Sequence, residues 1–274
     1  MRISVTIFMT DETITPVHLG RELEQRGFQG LFLPEHTHIP ISRKSPAPLG
    51  GALHRKYMRT LNPFVALSQV AAVTSRLEVG TGVTLVAQHD PIDLAKQVAS
   101  LDFLSNGRFT LGVGFGWNRE EAEDHGIEWS SRRALVQDRM ALMRALWAAQ
   151  PRVYDGKFGH VSASYAHPKP TKGAPRTLLG GEAGPRFFSR VAEYADGWLA
   201  LDKGDLESWI PHLRSSWREA GRTGAPEIVP YSILPSKERM AQYRGMGIDE
   251  VVLRLPAERA PGVLRTLEDY AAFL

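Results

Sequence analysis

Short runs of β-branched and alternating apolar residues recur along the chain, separated by longer stretches in which apolar positions return every three or four residues. Residues 3–8 read as a first strand. The helix after it opens at Thr15 and Pro16, where a threonine can cap the orphan amides and a proline is preset for the first turn. It places Leu19 and Leu23 on one face and stops at Gly27. Strands are then predicted over 28–33, 77–86 and 109–114, with helices over 62–74 and 90–104 that again start at a capping residue followed by proline. Residues 132–148 carry Leu135, Met140, Met143 and Leu146 near the helical period, and residues 151–175 are irregular with room for a hairpin. Four more strands, 176–179, 197–201, 228–233 and 250–255, alternate with helices over 185–194, 206–220, 237–246 and 261–273.

Eight strands, each followed by a helix, predict a closed (β/α)8 TIM barrel, with an open doubly wound sheet as the competing arrangement. The length of 274 residues suits a single barrel domain over residues 1–274, and the 43% hydrophobic content fills its core. Thirty-three Lys and Arg against 30 Asp and Glu leave a formal charge of only +3, with no basic run for a nucleic-acid partner. That balance suits a small anionic ligand. The absence of cysteine excludes disulfides, thiolate nucleophiles and thiolate metal sites. The first residues lack the basic flank and cleavage pattern of a signal peptide, and no apolar stretch is long enough for a membrane helix, so the reading is a cytoplasmic protein with no membrane partner. Residues 39–49 are proline-rich and read as a mobile loop; with its basic continuation to residue 59 it would cover a pocket and favour an anionic or aromatic compound.

In such a barrel the chemistry gathers at the carboxyl ends of the strands. The second strand ends in Glu35 and His36, a carboxylate beside an imidazole that can move a proton; a metal reading lacks a third ligand. The third contains Gly80 and Gly82 beside Val83, glycines that mark a bulge or a close backbone approach. The fourth runs into Gly112, Gly114, Gly116 and Trp117, which is not a dinucleotide fingerprint because Trp117 stands where the third glycine would be. The fifth ends in Gly180, Gly181, Glu182, Ala183 and Gly184 before a helix start, a turn suited to a phosphate, although Glu182 would repel one unless it points away. No G-x-S-x-G elbow, Walker loop or H-E-x-x-H helix is present, so hydrolase chemistry has no support.

These segments resemble the luciferase-like monooxygenase superfamily, and within it the deazaflavin- or flavin-dependent oxidoreductases. The resemblance rests on LEVGTGVTLVAQHDPIDLAKQVASLDFLSNGRFTLGVGFGWNREE at 77–121, GFQGLFLPEH at 27–36 and LLGGEAGPRFFSRVAEYADGWL at 178–199. It implies a TIM barrel, often a homodimer, and a tricyclic cofactor: coenzyme F420, with FMN as the alternative. It also implies a cis peptide at Gly82-Val83 behind the ring, a cofactor phosphate at Gly180 to Gly184, and His36 with Glu35 at the ring's edge. The function so implied is hydride transfer between F420 and a small organic substrate, with His36 moving the proton. A reduced-FMN monooxygenase using O2 and a non-catalytic flavin-binding protein are the alternatives.

Overall fold

The computed structural model describes residues 1–42, 44–48 and 50–274. In chain order its strands and helices are β1 (Arg2–Thr6), α1 (Pro16–Arg26), β2 (Gly30–Leu33), α2 (Pro63–Val73), β3 (Glu78–Thr81), α3 (Pro91–Leu104), β4 (Phe109–Val113), α4 (Arg119–Asp124), α5 (Arg132–Trp147), β5 (Tyr154–Asp155), β6 (His160–Val161), β7 (Arg176–Gly180), α6 (Pro185–Tyr194), β8 (Gly197–Ala200), α7 (Leu206–Glu219), β9 (Glu227–Ile233), α8 (Lys237–Gly245), β10 (Glu250–Arg254) and α9 (Ala260–Tyr270). Eight of the strands close into a parallel barrel in the order β1-β10-β9-β8-β7-β4-β3-β2. β5 and β6 form a separate antiparallel hairpin. The open sheet is thereby excluded.

Local chemistry explains the helix starts. Asn62 accepts the Val65 amide at 3.1 Å, and Asp90 accepts those of Ile92 and Asp93 at 2.9 and 3.1 Å. Each covers donors that the first helical turn leaves without partners. Thr15 makes no such bond, so α1 starts on the fixed φ of Pro16 alone. Gly27 ends α1 at φ 87°, a left-handed turn that favours glycine.

Side chains inside the barrel alternate along each strand and stack in layers. At the amino-terminal end lies an ion-pair network: Arg176 bonds Glu250 at 2.8 Å and Glu227 at 2.9 Å, while Arg2 reaches Glu78 and Glu250. Above it Phe32, Leu178, Leu199, Val229 and Val252 form a buried apolar layer. Such a side chain contributes about 1.5–3 kcal/mol when fully buried. Val83 and Tyr231 pack on that layer from the other side and begin the mouth.

Two strand ends differ from the sequence reading. β1 stops at Thr6, and β3 at Thr81 and not at residue 86. The chain leaves β3 at a cis peptide between Gly82 and Val83, Thr84 keeps only a bridge to Val113, and Val86–Gln88 is a 3-10 turn. Here β3 and β4 approach so closely that a Cβ on Gly112 would lie 1.9 Å from the Thr81 carbonyl oxygen. α4 and a 3-10 turn at Arg55–Arg59 are too short for periodicity to reveal. The expected loop over 39–49 includes Arg43 and Leu49, which lie outside the described residues. Within it the Lys44 and Ser45 amides donate to Glu120 of α4 at 2.5 and 2.9 Å. Burial works against the charge on Glu120, but the Ser45 hydroxyl and these amides outweigh it and bring the carboxyl down to about 2.

Candidate active site

His36 lies three residues beyond β2 and is buried at the barrel mouth. The carboxylate it meets is Glu121 of α4: Nδ1 is 2.7 Å from Glu121 Oε2, and Glu121 Oε1 accepts the Thr37 amide at 3.0 Å. On the other side of the ring, Trp117 Nε1 donates to His36 Nε2 at 3.3 Å. An indole nitrogen has only a proton to give, so Nε2 is an acceptor and the imidazole proton sits on Nδ1, facing Glu121. The ring is boxed edge-on by Tyr57 at 5.4 Å and Trp117 at 5.6 Å between centroids.

Glu35 is turned elsewhere. Its oxygens accept the Leu85 amide at 2.6 Å and meet His89 Nε2 at 2.9 Å, which ties the end of β2 to the turn after β3. The adjacency of Glu35 and His36 in sequence therefore does not make them a pair in space. Consecutive residues in an extended segment point to opposite sides.

Gly82, Val83, Gly114 and Gly180 come together at the same end of the barrel. Cβ atoms built on Gly114 and Gly180 would lie 2.1 and 2.7 Å from the Val83 methyls, so these glycines make room for Val83 between β4 and β7. The Gly82 carbonyl accepts the Tyr231 hydroxyl at 2.7 Å, and Thr6 Oγ1 in turn donates to that hydroxyl at 2.6 Å. Burial pushes the Tyr231 phenol upward, which keeps it a donor. A Cβ on Gly82 would strike the same hydroxyl at 2.4 Å and the ring at 2.5 Å. The result is a half-exposed Val83 on a nearly side chain-free shelf, locked from below.

Beside the shelf, two strands on from β3, the turn from Gly180 to Gly184 leads into α6. Gly181 is required where Phe187 packs, since a Cβ there would meet that ring at 2.4 Å, whereas the space beside Gly184 is open. α6 carries no side-chain cap. Glu182 points outward to Lys203 at 2.7 Å, and this ion pair lowers its carboxyl below the ordinary value. The Glu182 charge is thus directed away from the turn and paired. Among the described residues, Gly116, at φ 73°, faces Leu85 at 3.7 Å, and the Asn118 amide nitrogen is buried without a partner.

Sequence reasoning missed Glu121, Tyr57, Tyr231 and His89. Glu121 lies within the segment that carries the family resemblance, but only the fold shows that α4 delivers it to His36. Tyr57 and Tyr231 carry no local signal at all.

One end of the barrel thus gathers a glycine-rich break in the third strand and a buried imidazole held by a carboxylate. The luciferase-like monooxygenase family model matches residues 15–256, and the chain belongs to that family. The chain is 38% identical over 278 residues to the uncharacterised protein Rv0953c of Mycobacterium tuberculosis, covering 100% of this chain and 99% of that one. In fold it is similar to the monooxygenase RslO1 from Streptomyces bottropensis, with a TM-score of 0.80 at 18% identity, covering 100% of this chain and 98% of that one. It is likewise similar to an F420-dependent secondary alcohol dehydrogenase in complex with an F420-acetone adduct, with a TM-score of 0.77 at 16% identity and the same coverage. Among the described residues no helix is long and apolar enough to cross a membrane.

Proposed function

We propose that the protein is an oxidoreductase that transfers hydride between coenzyme F420 and a small organic substrate, with His36 moving the accompanying proton. The observation that carries this reading is the buried His36–Glu121 pair at the mouth, its Nε2 turned away from Glu121. The residues fit the cofactor. A planar ring matches the shelf at Gly82, Val83 and Gly114, and among the described residues the Asn118 amide nitrogen is unpartnered and the space beside Gly184 is open. The amides around Gly180 to Gly184 would hold the anionic tail at the uncapped start of α6. Trp117 would wall the ring.

Bound there, coenzyme F420 supplies or accepts the hydride. The protein's contribution is position and proton handling. His36 Nε2 exchanges the Trp117 indole for the substrate hydroxyl and accepts its proton in the oxidising direction, or returns it in the reducing one. Glu121 stabilises the imidazolium through Nδ1, a contact already made at 2.7 Å. Thr6 and Tyr231 keep the Gly82 carbonyl fixed, so the shelf does not shift as the substrate enters. Phe8, Tyr57 and Trp117 limit water at the reacting atoms.

Glu35 holds the frame through its bonds to Leu85 and His89. Its role is to place the turn after β3. A homodimer, as the family resemblance implies, is tested by light scattering of the purified chain. The functional reading is tested by anaerobic titration: F420 binding, with no oxygen uptake on turnover, supports it. Exclusive FMN binding with oxygen uptake assigns the flavin monooxygenase reading, and tight binding without turnover assigns a carrier.

A further inference from the structure

Two cations at the mouth have no carboxylate partner among the described residues. The 3-10 turn Arg55–Arg59 is held to the segment after β1 by the Thr10–Thr60 bridge, and β1 pairs with β10, so Lys56 comes to the side of the opening where Arg254 ends β10. Two acids are at hand there, Asp11 and Glu12, and both are engaged: Asp11 by Arg59 and Glu12 by Arg55 at 2.6 Å. Lys56 and Arg254 are half-buried, and among the described residues neither has a carboxylate partner.

The placement of the two cations relative to the imidazole is set by aromatic contacts and by register. Lys56 Nζ stands 4.7 Å from the Phe8 ring centroid and 5.9 Å from that of Tyr57. The Tyr57 ring in turn abuts His36 at 5.4 Å. Arg254 is the last residue of β10 and the register partner of Thr6, whose hydroxyl joins the Tyr231–Gly82 chain. Parity with Glu250 and Val252, which face the barrel interior, turns the Arg254 side chain inward as well. Burial, and then the nearness of Arg254, push the Lys56 ammonium down, as expected of two uncompensated cations that share a site.

Two cations beside aromatic walls form a receiver for a carboxylate on a flat apolar body. The guanidinium offers a planar fork that matches a carboxylate, and the ammonium offers a second, freely rotating donor. We infer that Arg254 and Lys56 form a carboxylate-binding subsite at the barrel mouth, and that the organic substrate is an aromatic or comparably flat apolar monocarboxylate anchored there beside His36. The inference rests on the proposed oxidoreductase reading for the word substrate, but the subsite itself is a property of the chain alone. A fixed carboxylate on this side would leave the rest of the molecule beside His36, over the ring that the Val83 shelf would seat. The Gly180 to Gly184 turn, on the β7 side, remains for the tail of the cofactor.

The test is isothermal titration calorimetry of the protein with benzoate, phenylacetate and 3-phenylpropionate, each against its primary amide. The wild type, Arg254→Gln, Arg254→Lys and Lys56→Gln are compared, with melting curves confirming that each variant folds. At least one acid binds the wild type about tenfold or more tightly than its amide, the worth of a charge-assisted hydrogen bond. Arg254→Gln brings the two within about threefold of each other, and Arg254→Lys recovers part of the preference. If no acid outbinds its amide on the wild type, or if Arg254→Gln keeps the preference intact, the subsite is wrong. A parallel F420 titration separates the two claims. Loss of cofactor affinity in Arg254→Gln with no acid preference in the wild type assigns these cations to the cofactor's acidic tail and overturns the inference. Acid preference in a protein that binds no F420 upholds the subsite while refuting the cofactor.

Discussion

His36 Nδ1 lies 2.7 Å from Glu121 Oε2, so the imidazole of β2's loop is oriented by a carboxylate 85 positions away in the chain. An imidazole held in this way has one nitrogen committed and one available, the arrangement that proton transfer at a fixed point requires. His36→Asn is expected to lower turnover by about 100-fold or more while cofactor affinity stays within about threefold. Glu121→Gln keeps the shape but not the charge, and lowers turnover about tenfold or more, with its largest effect where the imidazolium must form. Steady-state rates with parallel cofactor titrations check both; unchanged turnover in His36→Asn contradicts the assignment.

The Tyr231 hydroxyl bond to the Gly82 carbonyl gives a second prediction. Tyr231→Phe removes the donor and leaves Thr6 and the carbonyl without it, at a cost of about 1–3 kcal/mol. The loss is expected both in urea unfolding and as weaker cofactor binding, because the shelf loses its fixed position. Gly114→Ala acts from above, pressing a methyl into Val83, and is expected to weaken cofactor binding more than it lowers stability.

At the opposite end of the barrel, Arg176 is the shared partner of Glu227 and Glu250. Burial opposes its charge, but those carboxylates outweigh it and the guanidinium is held above its ordinary value. Arg176→Met leaves the buried Glu250 with Arg2 as its one remaining counter-ion and is expected to cost about 3 kcal/mol in urea unfolding, with part recovered by adding Glu250→Gln. This end carries stability and not chemistry.

Glu24 caps the turn before β3 by accepting the amides of Ser75, Arg76 and Leu77 at 2.8, 2.6 and 3.0 Å. Burial alone would raise its carboxyl, yet the three amides outweigh burial and hold it below the ordinary value. A carboxyl lowered in the folded state stabilises fully above its ordinary value, and that stability is lost as pH falls through the lower, folded one. Glu24→Gln is therefore expected to be less stable than the wild type by about 1 kcal/mol at neutral pH, with the gap closing as pH falls below the ordinary carboxylate value. Melting curves from pH 3 to 7 measure it, and a gap independent of pH contradicts the cause.

The barrel was legible because alternation and capping residues survive in each segment: Asn62 and Asp90 both cap the helices they were read to start. The strand end at Thr81 was not, because residues 82–86 keep a β-branched, strand-like composition while the backbone turns away at Gly82. In the site, the sequence located the segments but paired them by proximity in the chain. Glu35 was the obvious neighbour of His36, yet Glu121 is the one that reaches it, and no local pattern encodes a contact between β2's loop and α4. Glycines were legible as special positions but not in their reasons: Gly114 and Gly180 yield to Val83, and Gly181 yields to Phe187.

The most direct test of the account is a fluorescence titration of the purified protein with coenzyme F420 and, separately, with FMN. Saturable binding of F420 about tenfold or more tighter than FMN, weakened by Gly114→Ala and little changed by His36→Asn, is the predicted result. Binding of neither molecule, or F420 binding indifferent to Gly114→Ala, contradicts it.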